Sequence, residues 1–130
     1  MNEALEFHDS QVGSVEYRNA ALLVAFSSAY IHRSTGRAGI DSGEGYVQPA
    51  QLLFGEASAK GDLSVCNGRL SHGSVHVEGS ALSLIPVPYS TNGSIKAELV
   101  FENGEVLAIA AKSLQCSSSG EPRFVEPYVA

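Results

Sequence analysis

The sequence predicts an all-β fold, an antiparallel β-sandwich or β-barrel of about nine strands built from hairpins. Apolar and polar residues alternate with the period of a strand along most of the chain. Turn-forming residues interrupt this alternation about every 8–12 residues. No segment beyond residues 2–6 has a helical period, and the chain has no internal repeat. We therefore expect residues 1–130 to form a single all-β domain.

The clearest hairpin covers residues 95–111. Asn103-Gly104 stands between two apolar runs, and this dipeptide favours a two-residue turn because both residues accept positive φ. With that turn Phe101 faces Val106, and the row that contains both is expected to face the core.

The opposite row of this hairpin carries Val100, Leu107 and Ile109 beside charged residues. A sheet face that is fully exposed to solvent rarely carries so many apolar side chains. We expect this face to be covered by the glycine-rich loop described below or by a second subunit.

Before this hairpin, the chain is predicted to begin with a short helix at residues 2–6, followed by a turn at Asp9 and Ser10. A long strand then covers residues 22–33. Residues 34–45 hold four glycines and are expected to form an exposed loop. The next strand covers residues 46–56, and its Pro49 indicates an edge position or a bulge.

Two more hairpins are predicted, one over residues 63–71 around an Asn-Gly dipeptide and one over residues 74–85 around Gly79-Ser80. Residues 123–128 are expected to form a final edge strand that ends at Pro127.

Composition limits the classes of partner. Eight basic and fourteen acidic residues give a net charge of −6, and the basic residues are scattered. An acidic surface repels phosphate backbones, so no nucleic-acid binding is expected. A partner recruited by charge is expected to be basic.

The N-terminus, the hydropathy and the cysteines together predict the cellular compartment. The first residues lack a basic region followed by an apolar run, and no run of about 18 apolar residues exists, so neither a signal peptide nor a membrane span is expected. Cys66 and Cys116 are then expected to be reduced thiols in a cytoplasmic protein.

The candidate binding residues lie at the end of the long strand and near the N-terminus. Tyr30, His32 and Arg33 come directly before the glycine-rich loop, where a rigid strand runs into a connection, as binding residues often do. His8 and Asp9 are expected to come near them if the first strands form a meander. Side chains of consecutive strand residues point to opposite faces, so the run from His8 to Ser10 does not form a triad by itself.

Glu126 is the sixth candidate, because it lies in an aromatic segment bounded by a proline. If that segment is an edge strand, Glu126 is expected to neutralise Arg33 or His32 across the sheet. A hydrolase or isomerase that uses His8 or His32 with Asp9 or Glu126 is one hypothesis for function.

No metal or other cofactor is expected. His72 and His76 are four residues apart, which along a strand is about 13 Å and too far for one metal ion. The cysteines add no ligand spacing. The glycine-rich loop lacks the Gly-Lys-Ser/Thr ending of a phosphate-binding loop.

The opening Phe7-His8-Asp9-Ser10, followed by an apolar strand, resembles the start of several small bacterial protein families of unassigned activity. Some proteins with a similar opening look like immunity proteins of bacterial toxin systems. The likeness to immunity proteins covers about the first quarter of the chain. It implies a bacterial source, and it carries over no catalytic residue.

Three functions from different classes remain open. The first is a non-enzymatic interaction module that binds a protein partner or self-associates, through an edge strand or the Val100/Leu107/Ile109 face. The second is a β-barrel that binds a small molecule in a cavity lined by Phe26, Tyr30 and Phe101. The third is the hydrolase or isomerase described above.

Overall fold

The computed structural model describes residues 1–130 as one continuous antiparallel sheet around one core. It contains ten strands and a single turn of 3₁₀-helix, so the predicted all-β class is confirmed. The strands are β1 (Asn2–Arg18), β2 (Ala21–Ser34), β3 (Gly43–Gly55), β4 (Ser58–Lys60), β5 (Gly68–Val77), β6 (Ser80–Leu82), β7 (Ile85–Pro86), β8 (Tyr89–Phe101), β9 (Val106–Ser118) and β10 (Arg123–Tyr128).

Six of these strands close into a barrel. The order is β3-β2-β1-β5-β8-β9, and β9 pairs again with β3 to close the ring. Alternate residues of these strands point inward, and together with Cys66, Ile85 and Val87 they form a continuous cluster of 26 buried side chains. Phe54, Phe101 and Leu107 are among those with almost no exposure. The barrel interior is therefore filled by side chains, as in other small barrels.

The edge of β3 that faces away from β2 is divided between two partners. Residues Ala50 to Gly55 pair with β9, and residues Gly43 to Val47 pair with β10. Pro49 lies at the junction, where the register between β2 and β3 shifts. The predicted bulge at this proline is confirmed, because a residue without an N–H fits where the ladder is interrupted.

The predicted short helix at residues 2–6 is wrong, because these residues begin β1. Leu5 and Phe7 both point into the core, and this alternation has the period of a strand. The predicted turn at Asp9 and Ser10 is a bulge inside β1, where Asp9 has a φ of 69° and the register with β2 shifts.

The β8–β9 hairpin exists, but its predicted register is wrong by one residue. Val100 pairs with Val106 and Leu99 with Leu107. The turn contains one residue more than predicted: Phe101 N–H donates to the Glu105 carbonyl at 2.9 Å, and Gly104 N–H donates to the Phe101 carbonyl at 3.0 Å. Gly104 has a φ of 94°, so the connection is a turn with a glycine bulge and not a two-residue turn.

This one-residue difference removes the second face that the sequence predicted. Leu107 and Ile109 point into the barrel core, while Val100 lies on the outside. Val106, predicted to be core, is 43% exposed. The predicted contact surface of Val100, Leu107 and Ile109 therefore does not exist, because a shift of one residue turns every side chain of a strand over.

Two other predicted turns also differ. The residues before Asn67 form no strand, because Leu63–Val65 is a 3₁₀ turn capped by the Asp62 carboxylate. In the β5–β6 hairpin the turn residues are Glu78 and Gly79, both with positive φ, which is one position earlier than predicted.

The structure contains no helix with the length and hydropathy needed to cross a membrane. Cys66 and Cys116 are both buried and unpaired with each other. Burial raises the pKa of the Cys116 thiol to about 12.

Candidate functional site

The candidate site lies on the outer surface of the barrel, where the end of β2 is covered by other parts of the chain. Ile31 points into the core, so Tyr30 and His32 on either side of it point outward. Both are nevertheless buried, with 7% and 5% of their surface exposed. Buried side chains on the outside of a barrel need a second layer above them.

Strand β10 supplies part of that layer. The Tyr30 hydroxyl donates a hydrogen bond of 2.8 Å to Glu126 Oε1 on β10. Gly45, the β3 residue that pairs with Glu126, makes the space for this contact, since a Cβ atom there would lie 2.0 Å from the Tyr30 hydroxyl. The tyrosine ring thus crosses over β3 to reach the strand beyond it.

The electrostatics of the site keep Tyr30 protonated. Its pKa is raised well above the ordinary value, first by burial and then by the hydrogen bond and the charge of Glu126. Glu6 and Asp9 raise the pKa further through their negative charge. The phenol therefore acts as a hydrogen-bond donor to a carboxylate, and three carboxylates contribute to the field around it.

His32 is held between two tyrosine rings. Its ring centroid is 5.1 Å from that of Tyr30 and 5.1 Å from that of Tyr128 on β10, both in edge-to-face geometry. Its Nε2 atom lies 3.4 Å from Glu6 Oε1 on β1. Its Nδ1 atom is buried and has no hydrogen-bond partner. The imidazole thus joins three strands of one face.

The glycine-rich loop completes the cover; it covers residues 35–42 and not the predicted 34–45, because β2 ends at Ser34 and β3 begins at Gly43. A Cβ atom on Gly39 would lie 2.3 Å from Leu84 Cδ1 and 3.4 Å from His32 Cδ2, so the loop backbone passes close to both side chains. The loop is fixed by a pair between Arg37 and Asp41, and Asn2 donates a side-chain hydrogen bond to the Gly36 carbonyl. The predicted exposed connection is therefore ordered, and part of it lies over the site.

Arg33 lies apart from this cluster, because its side chain points to the other face of β2. Its Nη2 atom lies 2.6 Å from Glu3 Oε2, and its guanidinium is 4.3 Å from the centroid of the Tyr46 ring. The Tyr46 ring in turn contacts Phe124 of β10 at 5.7 Å. The predicted neutralisation of Arg33 or His32 by Glu126 is wrong, since Glu3 pairs with Arg33, Glu6 with His32 and Glu126 with Tyr30.

His8 and Asp9 lie on the bulge of β1 and belong to the rim of the site at most. His8 Nδ1 lies 3.1 Å from the Ser71 carbonyl on β5, and the side chain is 65% exposed. Its Nε2 atom is 3.7 Å from Asp9 Oδ1. The negative charge of Asp9 raises the pKa of Tyr30, and Asp9 makes no direct contact with the cluster.

Two residues of the cluster, Glu6 and Tyr128, were missed by sequence reasoning, and so was Glu3, the partner of Arg33 outside the cluster. Glu3 and Glu6 were assigned to the predicted helix, which hid their pairing with Arg33 and Tyr30 across β1 and β2. Tyr128 lies two residues after Glu126, and residues two apart in a strand lie on the same face. That spacing was the available signal.

The contacts of this cluster attach β10 to the outer surface of the barrel. A protonated tyrosine and a buried histidine both face carboxylates. The buried Ser10 hydroxyl beside them is taken up by the backbone, because it accepts from Tyr30 N–H at 2.9 Å and donates to the Glu6 carbonyl. None of the surface clefts is lined by Tyr30, His32 or Glu126. The predicted cavity among Phe26, Tyr30 and Phe101 does not exist, because the two phenylalanines are packed in the core and Tyr30 lies outside it.

The fold and the site define a closed six-stranded antiparallel β-barrel with a C-terminal strand fixed to its outer surface by a tyrosine–carboxylate and aromatic cluster. No protein-family model, curated protein or solved structure matches this chain.

Proposed function

We propose that this protein is a non-enzymatic interaction module that binds a basic protein partner along the outer edge of β10. The observation that carries the proposal is the state of that edge. Strand β10 is the last strand of the sheet, so one side of its backbone pairs with β3 and the other has no partner strand. An extended segment of another protein adds to such an edge by main-chain hydrogen bonds.

The side chains of β10 support this role. Phe124 and Val125 are 52% and 45% exposed, which gives apolar surface to a strand-shaped partner. Pro127 and the bulge at Val125 keep the edge short, which restricts addition to a brief segment and disfavours open-ended stacking.

Charge selects the partner. Glu121, Glu126 and the neighbouring Glu44 accompany β10, with Arg123 as its one basic residue. Glu6 and Asp9 add to the negative field at Tyr30. A basic segment is attracted to this region, and the attraction falls with ionic strength. An immunity-type role, which the N-terminal resemblance implies, is one form of such binding.

Binding is favoured over catalysis because the titratable groups of the cluster are covered. His32 and Tyr30 are buried beneath β10 and the glycine-rich loop, and no cleft brings a substrate to them. We place this activity in the cytoplasm, since two buried free thiols fit a reducing compartment.

The test is affinity purification from the native host with the wild-type chain and with Val125→Pro. Val125 has no paired residue on β3, so a proline there leaves the β3 partners in place and removes an N–H from the strand. Val129→Pro, at an exposed position beyond β10, is the matched control.

The expected result is a basic protein retained by the wild type and by Val129→Pro, lost with Val125→Pro, and released by raised salt. Hydrogen exchange of the purified complex then shows new protection at β10. A partner that is retained equally by Val125→Pro, or whose protection lies elsewhere, contradicts the proposal.

A further inference from the structure

Strand β10 is attached to the barrel by a small number of specific contacts. All but one of its six residues are exposed, so it buries little apolar surface of its own. Beyond its main-chain pairing with β3, its anchors are three side chains: Phe124 against Tyr46, Glu126 on the Tyr30 hydroxyl, and Tyr128 against His32. An element held in this way behaves as a short peptide seated in a groove.

The connection that leads into β10 contains a hinge. Ser119 N–H donates to the Pro49 carbonyl at 2.9 Å, and the Gln48 side-chain amide donates to the Ser119 carbonyl at 3.1 Å and to the Gly120 carbonyl at 3.5 Å, so the chain is held most closely at Ser119 and by one longer contact at Gly120. Gly120 follows with a φ of 66°, which turns the chain back along β3. A change of φ at this glycine, which has no Cβ atom, directs the following residues away from the barrel.

We propose that β10 exchanges between two copies of this chain, so that the segment Arg123–Tyr128 of each copy occupies the β3 groove of the other. In the exchanged pair Glu126 and Tyr128 of one copy complete the Tyr30–His32 site of its partner. The site of each subunit is then built from both chains.

Exchange costs none of the contacts of β10, because the groove of each copy recognises the same sequence. The same hydrogen bond and ring contacts form in the closed monomer and in the exchanged dimer, so only the hinge changes conformation. In a two-fold symmetric dimer each copy donates its β10 and receives that of the other. The net charge of −6 on each copy opposes association at low salt, and the repulsion weakens as the Debye length falls to about 8 Å at physiological ionic strength. The exchanged dimer therefore forms at high protein concentration and moderate salt.

Disulfide trapping between two full-length variants tests this proposal. Arg123 pairs directly with Val47, and the Cβ atoms of directly opposed residues are about 4.5–5.5 Å apart, close enough for a disulfide after small adjustments. Val47→Cys and Arg123→Cys chains are refolded together under reducing conditions and oxidised only after folding. The control mixture replaces Arg123→Cys with Ser80→Cys, an exposed position on β6.

The expected product is a covalent dimer of twice the chain mass that joins Cys at position 47 of one copy to Cys at position 123 of the other. The control mixture is expected to give none. Failure to form this dimer, or an equal yield with Ser80→Cys, overturns the proposal.

A hinge variant provides a second, independent readout by light scattering. Gly120→Pro fixes φ near −65° and is incompatible with the turn that returns β10 to its own barrel. We expect the dimer fraction to rise at least several-fold over wild type, with Glu121→Ala unchanged. A Gly120→Pro protein that stays monomeric contradicts exchange, whether or not β10 remains bound.

Binding of a basic partner is measured separately, so the two proposals fail independently.

Discussion

The Tyr30 hydroxyl and the Glu126 carboxylate form a 2.8 Å hydrogen bond across 96 positions of the sequence. One residue lies on a barrel strand and the other on a strand outside the barrel, and Gly45 of the strand between them leaves room for the contact. This bond, the contact of the His32 ring with Tyr128 and the contact of Tyr46 with Phe124 add to the main-chain pairing with β3 that holds this strand. The position of the free sheet edge therefore depends on the pairing with β3 and on a few side chains outside the barrel core.

Glu126→Gln tests the electrostatic part of this attachment. We expect the pKa of Tyr30 to fall, because a raising charge is removed, and to stay above its ordinary value, because burial is the largest cause of the shift. Alkaline absorbance titration, with Tyr30→Phe identifying the signal, measures the change. Glu121→Gln is the control and is expected to leave the titration unaltered. An unchanged Tyr30 titration in Glu126→Gln refutes the assigned contact.

Gly45→Ala tests the space beneath the tyrosine. The new methyl group would lie 2.0 Å from the Tyr30 hydroxyl, so the ring must move and lose its bond to Glu126. We expect a loss of about 1–3 kcal/mol in the free energy of unfolding. The matched control is Gly13→Ala in β1, where the nearest atom to the methyl group is 3.4 Å away. Equal stability of the two variants in urea would show that Tyr30 is placed elsewhere.

The observed register of the β8–β9 hairpin is tested by a pair of neighbouring substitutions. Leu107 has no exposed surface, and Leu107→Ala is expected to cost about 2–5 kcal/mol of unfolding free energy. Val106 is 43% exposed, and Val106→Ala is expected to cost less than about 1 kcal/mol. Denaturant titration of both variants measures the difference. If Val106→Ala destabilised the chain more than Leu107→Ala, the observed register would be contradicted and the two-residue turn supported.

The buried thiol of Cys116 predicts a loss of stability at high pH. Its pKa is raised to about 12 in the folded chain, against about 8.5 when unfolded. Above the unfolded value the folded chain binds more protons, so the free energy of unfolding falls as pH rises from about 8.5 towards 12. Denaturant titrations of wild type and Cys116→Ala across this range measure the effect. A wild-type slope no steeper than that of the variant contradicts it.

The class of fold was predictable because alternation and turn residues act locally. The bulge at Pro49 and the strand at β10 were predictable for the same reason, since proline lacks an N–H wherever it occurs. The hairpin register was not, because Asn103-Gly104 is compatible with two turn geometries, and the choice depends on which side chains of β9 fit the core.

The site was only partly predictable. Tyr30, His32 and Glu126 were candidates, and the structure places all three in one cluster. Their partners were misassigned because pairing across strands depends on strand order, which one sequence does not determine. Glu6 was missed because residues 2–6 favour a helix when read alone, and the β1 bulge between Glu6 and Gln11 interrupts the alternation that would indicate a strand.

Amide hydrogen exchange of β10 in the isolated wild-type chain tests most directly the claim that this strand is attached on one side and free on the other. Ladder hydrogen bonds to β3 use alternate backbone groups of an antiparallel strand. We predict that the amides of β10 that donate to β3 are protected, while those on its outer edge exchange at the rate of open chain, and that Tyr30→Phe weakens the protected set. Strict alternation is not expected, because of the bulge at Val125 and because Pro127 has no amide hydrogen. Uniform protection of the strand, or none at all, would contradict this account.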